Sequence, residues 1–166
     1  MSVLRTNKIY PRDGLPAGAS GGGIIQVVSS TNRTQSSTTS NSVWTAMGPS
    51  ASITPTSASN KIIVQYHVNT QNRTNGAHWL ARIYRNGSTF QDLGLVVYAT
   101  TNYDNIFYVS GSYLDSPAST SSLTYDIRFK MTNTNTGTLY VNYGDGVSEL
   151  SQNDNTSFMT LMEVSG

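Results

Sequence analysis

The chain contains no cysteine. That absence removes disulfides, thiolate metal ligands and cysteine nucleophiles together, and it leaves the redox compartment open. Charge is scarce too: 11% of the residues are charged and the formal net charge is +1. Neither the basic footprint of a nucleic-acid binder nor an acidic tail is present. No stretch approaches the run of about 20 apolar residues that spans a bilayer, and the opening "MSVLRTNKIYPRDG" lacks the apolar centre of a signal peptide. The expectation is a chain made in the cytoplasm, with no membrane insertion and no nucleic-acid partner. Only two histidines are present, and nothing near either has the spacing of a triad or a metal site, such as i and i+4 on a helix.

What the chain has in abundance is serine, threonine and asparagine, roughly a third of all residues. Their side chains compete for backbone hydrogen bonds and disfavour helix. The repeating signal is period two. In "KIIVQYHVN" Ile62, Val64, Tyr66 and Val68 share one face. In "LTYDIRFKM" Leu123, Tyr125, Ile127, Phe129 and Met131 oppose Thr124, Asp126, Arg128 and Lys130. The same reasoning predicts strands near 24–30, 43–47, 50–54, 77–85, 89–98, 105–114, 138–143 and 157–164. Turn signals separate them: Asn86-Gly87 as a two-residue hairpin, "TNTNTG" ending at Gly137, and "YGDG" at 143–146. About ten short strands predict an all-β fold, an antiparallel jelly-roll-like β-sandwich with a short extended N-terminal tail.

The tail occupies residues 1–22 and the head domain 23–166. Residues 1–12 carry apolar contacts (Val3, Leu4, Ile9, Tyr10) and charges (Arg5, Lys8, Arg12) but no core of their own, the composition of a docking peptide. The glycine-rich "GLPAGASGGG" behind it reads as a swivel.

The first and last strands break the one-sided rule. "GIIQVVSS" has aliphatics on both faces, and in "SFMTLMEV" Phe158, Met162 and Val164 oppose Met159 and Leu161. A sandwich strand has one core to face, so the second apolar face needs a cover. Another subunit is the economical one, with Ile25, Val27, Met159 and Leu161 as its interface. A loop or the N-terminal tail folded over that face is the alternative.

Catalytic readings find little purchase. "GASGGG" precedes a strand, whereas a phosphate-binding loop follows a strand and opens a helix. His67 shares its strand face with Ile63, Gln65 and Asn69, the setting of a hydrogen-bonded surface histidine. A calcium site at 144–154 would use Asp145, Glu149 and Asp154, but the segment lacks the Asp-x-Asp-x-Asp-Gly loop with its closing glutamate, and turn chemistry accounts for it. No cofactor and no metal are expected. Aromatics are the surplus: ten tyrosines and two tryptophans, several of them around "YATTNYDN". A tyrosine ring stacks on a sugar's apolar face while Asn and Asp take its hydroxyls. Tyr98, Asn102, Tyr103 and Asp104 therefore form a candidate ligand loop, with surface glycans as the ligand class. Rings packed in the core or at a subunit interface are the competing account.

Four segments carry a family likeness. "TNKIYPRDGLPAGASGGGIIQVV", "SASITPTSASNKIIVQYHV", "SYLDSPAST" and "FMTLMEV" resemble, in order and spacing, small structural proteins and fibre C-termini of tailed bacteriophages, especially those of marine and cyanobacterial hosts. The likeness runs from about residue 5 to the end. It implies a non-enzymatic virion β-sandwich head, in trimeric form, joined to other phage virion proteins by its N-terminal peptide. The chain lacks the long shaft of a tail fibre, which implies a stand-alone head with its own anchor, on the tail or on the capsid. A capsid decoration protein or tail adaptor without a receptor role is the alternative implied by the same likeness. A glycan depolymerase on the same fold would need two carboxylates in one cleft.

Overall fold

The computed structural model describes residues 23–72, 78–98, 105–132, 137–143 and 155–166. Among them are ten strands: β1 (Ile24–Asn32), β2 (Ser36–Thr38), β3 (Thr45–Ile53), β4 (Lys61–Asn72), β5 (His78–Arg85), β6 (Ser88–Tyr98), β7 (Asn105–Asp115), β8 (Leu123–Met131), β9 (Leu139–Val141) and β10 (Ser157–Val164). One sheet runs β1-β10-β4-β7, with the short β9 and β2 extending from the end of β4; the other runs β3-β8-β5-β6. All pairings are antiparallel. Apart from the β5–β6 hairpin, and with the short β2 and β9 set aside, the chain changes sheet at every step. This places the first and last strands side by side and gives the two-sheet jelly roll that the strand pattern predicts.

The core lies between the sheets. Ile62, Val64, Tyr66 and Val68 of β4 and Met159 and Leu161 of β10 face Leu123, Tyr125, Ile127, Phe129 and Met131 of β8, with Trp79 and Ile83 of β5 beside them. Both alternations read in the sequence are thus the core stripes. The Asn86-Gly87 turn is a type I′ hairpin with both residues at positive φ (49° and 79°), which is the geometry that this dipeptide favours. Asn86 also fastens the hairpin to β8: its N–H donates to the Thr124 carbonyl and its side chain accepts from Thr124 N–H, both at 2.8 Å.

Three boundaries differ from expectation. The strands expected at 43–47 and 50–54 are one strand, β3, whose register shifts between Ala46 and Ser50. Proline lacks the ladder donor, so Pro49 sits in the irregularity, and Gly48 fits there because a Cβ would lie 2.8 Å from the Ile127 Cβ. The strand expected at 138–143 ends at Val141, since Asn142 turns to φ 57°. Its amide donates to the carbonyls of Asn32 and Thr34. β2, "SST", carries no apolar alternation and was not foreseen.

Two buried carboxylates tie the elements together. Glu163, fully buried, accepts four hydrogen bonds: from Gln26 Nε2 (2.5 Å), Thr56 N–H (2.7 Å), Thr56 Oγ1 (2.8 Å) and Asn60 Nδ2 (2.5 Å). Asp115, at the end of β7, takes both oxygens to Arg85 Nη1 (2.8 and 2.6 Å) and accepts from the Tyr125 hydroxyl (2.6 Å), joining one sheet to the other. Burial and the adjoining Asp115 carboxylate push the Tyr125 hydroxyl far above the usual phenol range. Burial pushes the Glu163 carboxyl up, but the four donors outweigh it and bring it down from the ordinary 4.5 to about 2. A carboxylate held below its unfolded value stabilises the fold above that value and ceases to do so as pH falls through the folded one. Stability is therefore expected to decline as pH drops from about 4.5 towards about 2. Glu163→Gln should lose roughly 2 kcal/mol at neutral pH, because a charge-assisted acceptor becomes a neutral amide among donors. Urea titrations across that pH window should show a flatter decline for the variant; identical slopes would remove the role assigned to Glu163.

Candidate assembly face

The two outer faces of the sandwich are chemically unlike. On the β3-β8-β5-β6 sheet, charge and aromatic rings lock together. The Arg82 guanidinium lies 4.3 Å from the Trp44 ring centre and that of Arg128 lies 4.1 Å from Tyr84, while the Lys130 ammonium is 5.4 Å from Trp44. Arg82 also pairs with Asp92, and Arg128 with Asp126 at 2.6 Å. Such a face satisfies its own cations and keeps the strands wet.

The β1-β10-β4-β7 sheet has no such cladding. Strand register defines three transverse rows on its outer face. The first joins Val27, Met162, Ile63 and Leu114; the second Ser29, Thr160, Gln65 and Ser112; the third Thr31, Phe158, His67 and Ser110. Lys61, at the end of β4, is the one charged side chain that these four strands turn to this face. Of the nine large hydrophobic residues exposed among the described residues, seven belong to this sheet: Ile24, Ile25, Val27, Ile106, Tyr108, Leu114 and Phe158. Leu114 is 56% exposed and Val27 55%.

In the third row His67 is held between two rings. Phe158 stacks at 5.6 Å and 19° on one side, and Tyr108 at 5.4 Å and 23° on the other. Its Nδ1 shares a 2.8 Å hydrogen bond with Ser110 Oγ. The residues between this aromatic wall and the apolar row leave a depression of about 530 Å³ with Gln65, Ser110 and Ser112 on its floor. The four carboxylates among the described residues, Asp92, Asp115, Asp126 and Glu163, each engage a donor elsewhere in the fold.

Of the interface residues expected from sequence, the structure separates two pairs. Val27 lies on the exposed face, and Ile25, 45% exposed, is the extra residue where the β1–β10 register shifts between Ile24 and Gln26. Met159 and Leu161 are a correction: both are fully buried and face the sandwich core, so no partner can reach them. Alternation in β10 does give two apolar faces, but the outward one is Phe158, Met162 and Val164. Leu114, Ile106 and Tyr108 were missed because β7 is an edge strand whose inner face, Phe107, Val109 and Tyr113, is equally apolar. The apolar row emerges only when four strands are laid in register. Docking residues Val3, Leu4, Arg5, Lys8, Ile9, Tyr10 and Arg12 lie outside the described residues, as do Asn102, Tyr103 and Asp104 of the ligand loop and the 144–154 segment. Tyr98 is the last residue of β6.

No protein-family model and no curated protein matches the chain. Among solved structures it is similar to the VP2 subviral particle of infectious bursal disease virus, with 16% identity, a TM-score of 0.42 and coverage of 85% of this chain and 37% of that one. The T13 particle of the same virus gives 15% identity, a TM-score of 0.43 and coverage of 85% and 36%. The chain spans well under half the length of these proteins. At such values the likeness bears on neither function nor assembly, and the jelly-roll assignment rests on strand order.

The separation of β10 into a core face and an outer face has a measurable consequence. Leu161→Asp should abolish folding, since a charge without a partner in the core costs more than about 4 kcal/mol. Val27→Asp, on the outer face of β1, should leave the strand content of the chain intact, whatever its effect on association. Circular dichroism melts of the two variants check this; a folded Leu161→Asp protein would contradict the packing.

Proposed function

We propose that this protein is a non-enzymatic virion structural component, a jelly-roll head that associates with copies of itself through the outer face of the β1-β10-β4-β7 sheet. The observation that carries the self-association is the contrast between the two outer faces. One neutralises its charges and clads its rings with cations; the other concentrates the exposed apolar side chains and has a single lysine at its margin. An uncharged apolar patch of that extent is what an interface leaves when its partner is removed.

The virion assignment rests on the phage-type segments, and the fold gives those segments a physical meaning. "SITPTSASN" contributes Thr56 and Asn60, and "FMTLMEV" contributes Glu163, to one hydrogen-bonded cluster. "SYLDSPAST" contributes Asp115 to the other. The likeness thus falls on residues that specify this sandwich, while the trimeric state follows from the resemblance, which allows the head a place on the tail or on the capsid. Residues 1–12 serve as the docking peptide to the rest of the virion in this reading.

Quantitative mass spectrometry of purified particles from the virus that encodes the chain tests the proposal. Its peptides should be present at a fixed copy number per particle, divisible by three, and a chain lacking residues 1–12 should be absent from assembled particles. Expression in infected cells without incorporation into particles would overturn the virion reading. Incorporation of the shortened chain would overturn the docking assignment alone.

A further inference from the structure

The self-association proposed above would cover a histidine in the middle of the sheet. Two of the exposed rings on which that reading rests, Phe158 at 39% exposure and Tyr108 at 65%, are the rings on either side of His67. A partner that covers both rings covers the imidazole between them. β4 is flanked here by β10 and β7, so His67 does not lie on a sheet edge from which it could turn away to water. In a free copy the half-buried ring accommodates a charge. Phe158 and Tyr108 lie within 6 Å of it and nearly parallel to it, at 19° and 23°, and a cation is drawn to an aromatic face at that distance. Its Nδ1 is already bonded to Ser110 Oγ, and solvent serves the remainder of the ring.

A covered copy offers that charge nothing. Around His67 stand Gln65 and Asn69 of β4, Phe158 and Thr160 of β10, and Tyr108 and Ser110 of β7. Tyr108 is the one titratable group among them, and phenols stay neutral through the range in which histidine changes charge. Lys61 has the same sign as an imidazolium and stands six residues, roughly 20 Å, along β4. Asp115 and Glu163 sit at the Ile62 end of β4, each bonded to its own donors, and Asp92 and Asp126 belong to the other sheet. A second copy brings the same four strands, and they turn no carboxylate outward. An imidazolium buried there loses its water and gains no counter-ion. We infer that His67 makes the association pH-dependent: copies meet through this face while the imidazole is neutral and separate as it takes up a proton. The inference rests on the self-association reading. Its sign follows from linkage. The free copy binds more protons than the associated one, so falling pH favours the free copy, by about tenfold per pH unit for each histidine that must be neutral to be covered.

Sedimentation velocity of the full chain at pH 7.5 and pH 5.0, at equal ionic strength, reads the switch. The fold is not at issue between these values, since the contribution of Glu163 to stability is lost only below about 4.5. The association constant of the unmodified protein should fall by more than about tenfold from the higher pH to the lower. His67→Gln leaves Ser110 a hydrogen-bonding neighbour without a charge, and should associate equally at both pH values. His67→Arg keeps a planar cation between the two rings at every pH, and should be folded by circular dichroism yet dissociated at pH 7.5. His78→Gln, which removes the histidine that opens β5 in the opposite sheet, should respond to pH as the parent does. A monomer at pH 7.5 would overturn the self-association reading and the switch with it. An oligomer equally strong at both pH values, a pH response that survives in His67→Gln, or a His67→Arg protein that associates at pH 7.5 would overturn the switch and leave self-association standing.

Discussion

A buried carboxylate with no cation beside it among the described residues, Glu163, sets the arrangement on which the rest depends. Ionised and out of water, it is tolerable only because four donors from two other stretches of chain converge on it. Gln26 comes from β1, Thr56 and Asn60 from the connection into β4, and Glu163 itself from β10. To satisfy the charge these pieces must meet at one end of one sheet, and doing so fixes the β1–β10 register, including the shift at Ile24/Gln26. With β1 and β10 fixed, Val27 and Met162 fall opposite each other, and β4 carries the row on to Ile63 and Leu114. The surface proposed for assembly is therefore a consequence of the register that a buried charge enforces.

Asp115 plays the corresponding part between the layers. Its bidentate contact with Arg85 and its bond from Tyr125 hold the end of β7 against the second sheet. Among the described residues β7 has one strand neighbour, so without this tie its far end would depend on β4 alone. The β3-β8-β5-β6 sheet sets its remaining cations against its own rings and carboxylates, and the outer face of the other sheet has Lys61 alone as a charge within its four long strands. The division of labour is legible in the residue types: arginine and lysine alternate with core residues in β8, serine and threonine in β1 and β7.

Much of this was readable from sequence because period-two alternation is a local signal. β4 and β8 declared both their core stripes, and Asn86-Gly87 declared its turn. The assembly face was only half visible, for a physical reason. A strand with apolar residues on both faces does not say which face meets the core, and Met159 and Leu161 were set on the wrong side of β10 on that account. The choice is made by register, through Glu163, which alternates in phase with Leu161 and Met159 and so marks their face as the inner one. Leu114 and Tyr108 needed four strands in register before their exposure had meaning. β3 was expected as two strands, near 43–47 and 50–54, whereas the structure absorbs Gly48-Pro49 as an irregularity packed on Ile127.

The central claim is that the uncharged outer face is covered in solution, and hydroxyl-radical footprinting tests it directly. In a single chain Val27 and Leu114, at 55% and 56% exposure, are as open as Leu95 at 54% and Val43 at 62%. The account predicts that Val27, Leu114 and Met162 are protected in the intact protein while Leu95 and Val43 are labelled at the rate their exposure dictates. Equal labelling of all the exposed aliphatics would contradict it.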